Sequence, residues 1–92
     1  MDRHLDILKV FAEIRDPGEM ETFCREIFSP RELNDLALRW QLLKELHEGC
    51  SQRQIAARHR ISLCKITRGS KLLKKESSFT KKILDAYYGG KD

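Results

Sequence analysis

The residues of this chain that could do chemistry are cations without acids. Between Ser51 and Lys75 stand Arg53, Arg58, Arg60, Lys65, Arg68, Lys71, Lys74 and Lys75, with no Asp or Glu among them. Guanidinium and ammonium groups at this density neutralise phosphates, so the partner they imply is a polyanion. Ile55, Ala56, Ile61 and Ile66, interleaved with them, are spaced as two short helices meeting at a turn. A cationic helix pair of this size fits the major groove of DNA. Spacing alone leaves RNA, an acidic protein partner or a merely solvated face open.

Other chemistry is poorly provided for. No nucleophile–base pair, paired carboxylates or phosphate-binding glycine loop stands out, so the chain does not read as an enzyme. Cys24, Cys50 and Cys64 are odd in number and widely spaced, and there is no CxxC or HxxxH pair. They predict neither a disulfide framework nor a metal site, but reduced thiols of a cytoplasmic protein. His4, His47 and His59 are scattered and suggest no chemistry. No apolar run reaches membrane-spanning length, and the N-terminus lacks a signal-peptide pattern.

The net charge of +4 is unevenly spread. Residues 1–50 hold seven basic and eleven acidic groups, residues 51–75 eight basic and no acidic ones, and residues 76–92 three of each. Ninety-two residues predict a single helical domain, 1–92, with a limited core that assembly into an oligomer would enlarge.

Six helices must position the basic segment. Residues 2–14 place Leu5, Leu8, Phe11 and Ala12 on one face, with Ile7 and Ile14 beside them. Asp16-Pro17-Gly18-Glu19 reads as a helix start, with Asp16 as N-cap, ahead of Met20, Phe23, Cys24, Ile27 and Phe28. Ser29-Pro30-Arg31-Glu32 predicts a capping box opening a helix that runs to about Glu48. Leu33, Leu36, Ala37, Trp40, Leu43 and Leu46 form its apolar stripe, broadened by Leu38 and Leu42. Such a width predicts a central helix, with Trp40 in the core or a dimer interface.

Gly49 predicts a left-handed cap, and Ser51 with Gln54 a second capping box. A helix from Ser51 to His59, a turn at Arg60-Ile61, an N-cap at Ser62 and a helix from Leu63 to about Lys74 complete a helix-turn-helix within 51–75. Ser77 or Ser78 starts a last helix carrying Phe79, Ile83, Ala86 and Tyr87, and the Gly89-Gly90 tail is expected to fray.

Ser51-Gln52-Arg53-Gln54-Ile55, then Ile66-Thr67-Arg68-Gly69-Ser70 and Leu73-Lys74, resemble the tryptophan repressor family. The likeness reaches back through Phe28-Ser29-Pro30-Arg31-Glu32, Leu36, Arg39, Glu45-Leu46 and Gly49, covering roughly 28–75. Residues 1–27 match only in helical character. The resemblance implies an all-α, six-helix subunit with a helix-turn-helix, in an intertwined homodimer. It also implies a palindromic double-stranded DNA operator, with the two reading heads about one DNA turn apart.

In that family a bound amino acid sits between the central helix and the reading head and couples ligand to DNA affinity. The resemblance therefore implies L-tryptophan, or a related amino acid, as corepressor. Arg39 matches the arginine that grips the ligand carboxylate, Arg68 the one that stacks on the indole, and Gly69 the glycine that lets the ring approach. Ser29 stands where the family typically has threonine. Leu72 replaces a serine that helps bind the ligand amino group. An ordinary ion pair with Asp35 would equally explain Arg39, and a phosphate contact would explain Arg68.

On the DNA side, Gln52 and Arg53 match a pair that contacts the backbone, and Thr67 matches a reading-helix residue. Leu63 conservatively replaces an isoleucine, and Ala56 replaces a basic residue that touches DNA. Cys64 and Lys65 replace smaller or neutral residues at the start of the reading helix. Lys71 and Lys74 add phosphate neutralisation. The expectation is a DNA-binding transcriptional repressor, with or without a small-molecule corepressor. A helical protein-interaction module is the alternative from another class.

Overall fold

A computed structural model describes residues 2–89. The expectation of fraying at Gly90 lies outside them. Among the described residues there are six helices and no strand. They are α1 (Arg3–Glu13), α2 (Pro17–Ile27), α3 (Pro30–His47), α4 (Gln52–His59), α5 (Leu63–Lys74) and α6 (Phe79–Tyr88). Internal contacts divide the chain into two compact units, 1–36 and 37–92, with the boundary inside α3.

Helix starts follow the capping chemistry of the sequence. Asp2 Oδ1 accepts from the His4 N–H at 2.9 Å, and Asp16 Oδ2 from the Glu19 N–H at 2.9 Å. At α3 the Ser29 hydroxyl accepts from the Glu32 N–H (3.1 Å), while Glu32 Oε1 accepts from the Ser29 N–H (2.8 Å). Ser51 and Gln54 repeat this reciprocal pair at α4. Each bond satisfies a donor that the helix start would leave orphaned. Ser62 occupies the N-cap of α5 but makes no side-chain cap bond, so this expected cap is present in position only.

In the first unit, Phe11 of α1 meets Phe23 edge-on at 5.7 Å between centroids and stacks on Phe28 at 6.4 Å. Neither α1 nor α2 buries a residue fully. Leu5 and Leu8 remain 53% exposed.

The second unit contains the core. Leu42, Ile55 and Ile66 pack together, surrounded by Leu38, Leu46, Cys50, Ala56 and Ile61. One buried residue from each of α3, α4 and α5 thus joins the basic helix pair to the end of α3. Gly49 ends α3 at φ +99°, with Cys50 N–H bonded to Glu45 C=O and Gly49 N–H to Leu46 C=O, a Schellman motif.

Phe79, Ala86 and Tyr87 of α6 are exposed, and Leu84 is the residue fully buried. Contacts to α3 set the rotation: His47 bonds Asp85 at 2.7 Å, and Trp40 Nε1 lies 3.5 Å from the Tyr88 hydroxyl. Residues 84, 85 and 88 share one helical face, so these contacts carry Leu84 inward and leave the Phe79–Tyr87 side outward.

Candidate nucleic-acid interface

The candidate reading head is α4–turn–α5. The turn is made by Arg60, at φ 55° and ψ 49°, a left-handed conformation normally left to glycine or asparagine. The Ile61 N–H reaches back to Ala56 C=O at 3.1 Å. This bond and the inward packing of Ile61 hold the turn tight without a glycine. The small Ala56 beneath lets the two helices close on each other.

Most of the DNA candidates are presented outward. Arg53, Leu63, Cys64, Lys65, Lys71 and Lys74 are exposed, whereas Gln52 and Thr67 are half-buried. The structure brings these last two together: Thr67 Oγ1 lies 3.0 Å from Gln52 Oε1. The free cations share the surface with exposed Arg60, Arg68 and Lys75. Among the described residues, none of them has a carboxylate partner within ion-pair distance. An unpaired, acid-free cationic surface is available to polyanions at full charge.

Beneath this surface lies a cluster that sequence reasoning missed. The Glu45 side chain is 4% exposed. It accepts from Arg58 Nη1 at 2.8 Å and Gln41 Nε2 at 2.8 Å, and lies 2.9 Å from His59 Nε2. Burial alone would push its carboxyl upward. The hydrogen bonds from Gln41 and His59 and the charges of His59 and Arg58 outweigh burial and hold it below its ordinary value. Asp85 is likewise lowered, by its hydrogen bonds to His47 and Lys81. The two histidines left without a role thus pin α4 and α6 to α3. Their partners are 14 and 38 residues away in sequence, so no local pattern could show them.

The ligand candidates are more scattered. Arg39, Arg68 and Ser29 are exposed, Gly69 and Leu72 half-buried. Neither Arg39 nor Arg68 makes an ion pair among the described residues. A Cβ at Gly69 would stand 3.1 Å from Leu43 Cδ2 and 3.3 Å from Leu46 Cδ1. Gly69 is therefore where α5 approaches the end of α3. An open groove in the first unit, lined by Asp16, Glu19, Thr22, Phe23 and Glu26, includes none of the ligand candidates.

The family description Trp repressor protein matches residues 3–87, nearly the whole chain. The chain belongs to the Trp repressor family. The match includes residues 3–27, where motif comparison had found only helical character. No curated protein and no solved structure matches at a significant level. Membership makes this a DNA-binding transcriptional regulator with a helical helix-turn-helix fold, and not an enzyme. Among the described residues, no helix is long and apolar enough to cross a membrane.

Proposed function

We propose that two copies of the chain form a cytoplasmic repressor that binds a palindromic operator. One α4–α5 reading head serves each half-site. L-Tryptophan or a related amino acid, held by Arg39 and Arg68, sets the affinity. The observation that carries the DNA reading is the unpaired cationic surface of α4–α5, mounted on α3 by Leu42, Ile55 and Ile66. The chain is read as a single helical domain, 1–92, because its ninety-two residues suit one domain.

Burial supports the homodimer. Among the described residues, five hydrophobic residues are buried, while ten large ones, among them Leu5, Leu8, Leu36, Phe79 and Tyr87, are more than a third exposed. A second copy laid on these faces would supply the core that one chain lacks.

Arg53, Lys65, Lys71 and Lys74 neutralise phosphates, and Leu63 and Cys64 stand foremost on α5 to meet base edges or thymine methyls. Affinity for duplex DNA should fall steeply with salt. Fluorescence anisotropy at two salt concentrations, across a pool of palindromes, tests this. Salt-insensitive binding, or equal affinity for every palindrome, overturns it.

A second reading keeps the DNA-binding dimer and drops the corepressor. Leu72 and Lys65 favour it, since by the family resemblance an apolar side chain stands where the ligand ammonium would take a polar partner. Calorimetry with L-tryptophan separates the readings. Saturable heat lost in Arg68→Ala supports the first, and no heat at millimolar ligand supports the second.

A further inference from the structure

Gln52 and Thr67 lie 15 residues apart, on opposite helices of the reading head. Both are half-buried while their neighbours Arg53, Leu63, Cys64 and Lys65 are exposed. Thr67 Oγ1 has two acceptors in reach, Gln52 Oε1 at 3.0 Å and Leu63 C=O at 2.9 Å. A hydroxyl carries a single proton, so it serves one of them at a time. If it turns to Leu63, its lone pairs face Gln52, and the amide must reverse to donate. That reversal would direct the amide oxygen, an acceptor, toward any phosphate.

We propose that Thr67 is a positioning residue. Its hydroxyl holds the carbonyl end of the Gln52 amide, so that the NH2 end projects outward as a fixed donor to a DNA phosphate, and Thr67 itself reads no base. The inference rests on the DNA-binding reading above and assigns Thr67 a role different from direct base readout.

Two observations carry it. Gln52 is the first residue of α4, immediately after the Ser51 cap, where the helix start already favours an anion. Thr67 is one turn into α5 behind Leu63, with its polar atom engaged within the protein. A glutamine already held in place also loses less rotamer freedom on binding than a free one. The hydrogen bond thus links the phosphate-contacting helix to the reading helix by a single proton.

The test is a double-mutant cycle on operator affinity, using full-length protein and duplex DNA selected from the palindrome pool. Gln52→Ala and Thr67→Val should each weaken binding about tenfold, and the double variant no further. Thr67→Ser, which keeps the hydroxyl, should bind within about twofold of the parent. The base preference of Thr67→Val should be that of the parent. Additive losses, unchanged affinity in Thr67→Val, or a new preference at one base pair of each half-site overturns the proposal. Thr67→Ala serves if the valine variant does not fold.

A DNA-free measurement separates this proposal from the reading it rests on. Nitrogen-15 relaxation of the Gln52 side-chain amide should show an ordered group in the parent and a mobile one in Thr67→Val. A mobile amide in the parent overturns the proposal even if DNA binds. An ordered amide in a protein that binds no duplex leaves the Thr67–Gln52 contact standing and overturns both the DNA reading and the phosphate role.

Discussion

Glu45, near the end of α3, lies 2.9 Å from His59 Nε2, at the end of α4. The carboxylate also takes the Arg58 guanidinium at 2.8 Å and is buried to 4% exposure. A buried charge keeps its place only when compensated, and here α4 supplies both the cation and the imidazole. The first helix of the reading head is thereby fixed to the element on which it is mounted.

Removing the carboxylate should loosen that mount. Glu45→Ala is expected to cost about 1–3 kcal/mol, less than a fully buried pair because the Arg58 guanidinium left behind is half-exposed, and to weaken DNA binding as α4 loses its anchor. Chemical denaturation with intact DNA-surface residues checks the first effect, and anisotropy the second. Unaltered stability would show that Arg58 and His59 are held by other contacts.

The same group predicts an acid limb. The folded-state pKa of Glu45 is lowered, so its stabilisation is present above the unfolded glutamate pKa of about 4.3 and lost as pH falls through the folded value. Melting temperature should therefore decline below about pH 4.3. Asp85 adds to the decline in the same direction, being lowered by His47 and Lys81. In Glu45→Gln the decline should be shallower, read by melting curves from pH 3 to pH 7 (roughly the span over which carboxylates titrate).

Gly69 is predicted to resist enlargement. A methyl there would press on Leu43 and Leu46 at 3.1 and 3.3 Å. Alanine gains about 1 kcal/mol of helix propensity, but overpacking costs about 1–3 kcal/mol. Gly69→Ala should thus be destabilised by about 1 kcal/mol, and less so in a Leu43→Ala background. Equal penalties in both backgrounds would place the strain elsewhere.

Arg60 holds a left-handed turn at φ 55°. Glycine adopts that conformation freely, so Arg60→Gly should stabilise the fold by about 1 kcal/mol while weakening DNA binding by one lost cation. A raised melting temperature with a smaller salt slope is the expected pair of results. A lowered melting temperature would mean that the arginine side chain stabilises the turn.

Ile66 is fully buried at the centre of the reading-head core. Ile66→Ala should cost about 2–5 kcal/mol. Denaturant titration of this variant measures how much of the fold depends on the Leu42–Ile55–Ile66 cluster.

The local chemistry was legible in the sequence. Asp16, Ser29 and Ser51 cap their helices where their spacing predicted, and of the two candidates Ser77 and Ser78 it is Ser78 that caps α6, because a capping bond spans only three residues. Gly49 and the bounds of α5 were equally readable. So was the cationic face, since charge density survives folding when no acid lies nearby. On α6, periodicity shows that Ile83 and Leu84 are apolar but not which of them is fully buried, and packing buries Leu84. Glu45 entered only through the family resemblance, with no partner assigned, because its partners lie 13 and 14 residues further on.

Sequence by itself determined six helices, most of their starts, and a cationic, acid-free segment between Ser51 and Lys75, all consequences of short-range bonding and charge. Tertiary structure alone decided which charges are free. Among the described residues it paired Arg58 with Glu45 and left Arg53, Lys65, Lys71 and Lys74 without a carboxylate partner. It also joined Gln52 to Thr67. The physical reason is that desolvation and hydrogen bonding act between side chains that only packing brings within 3 Å or so of each other.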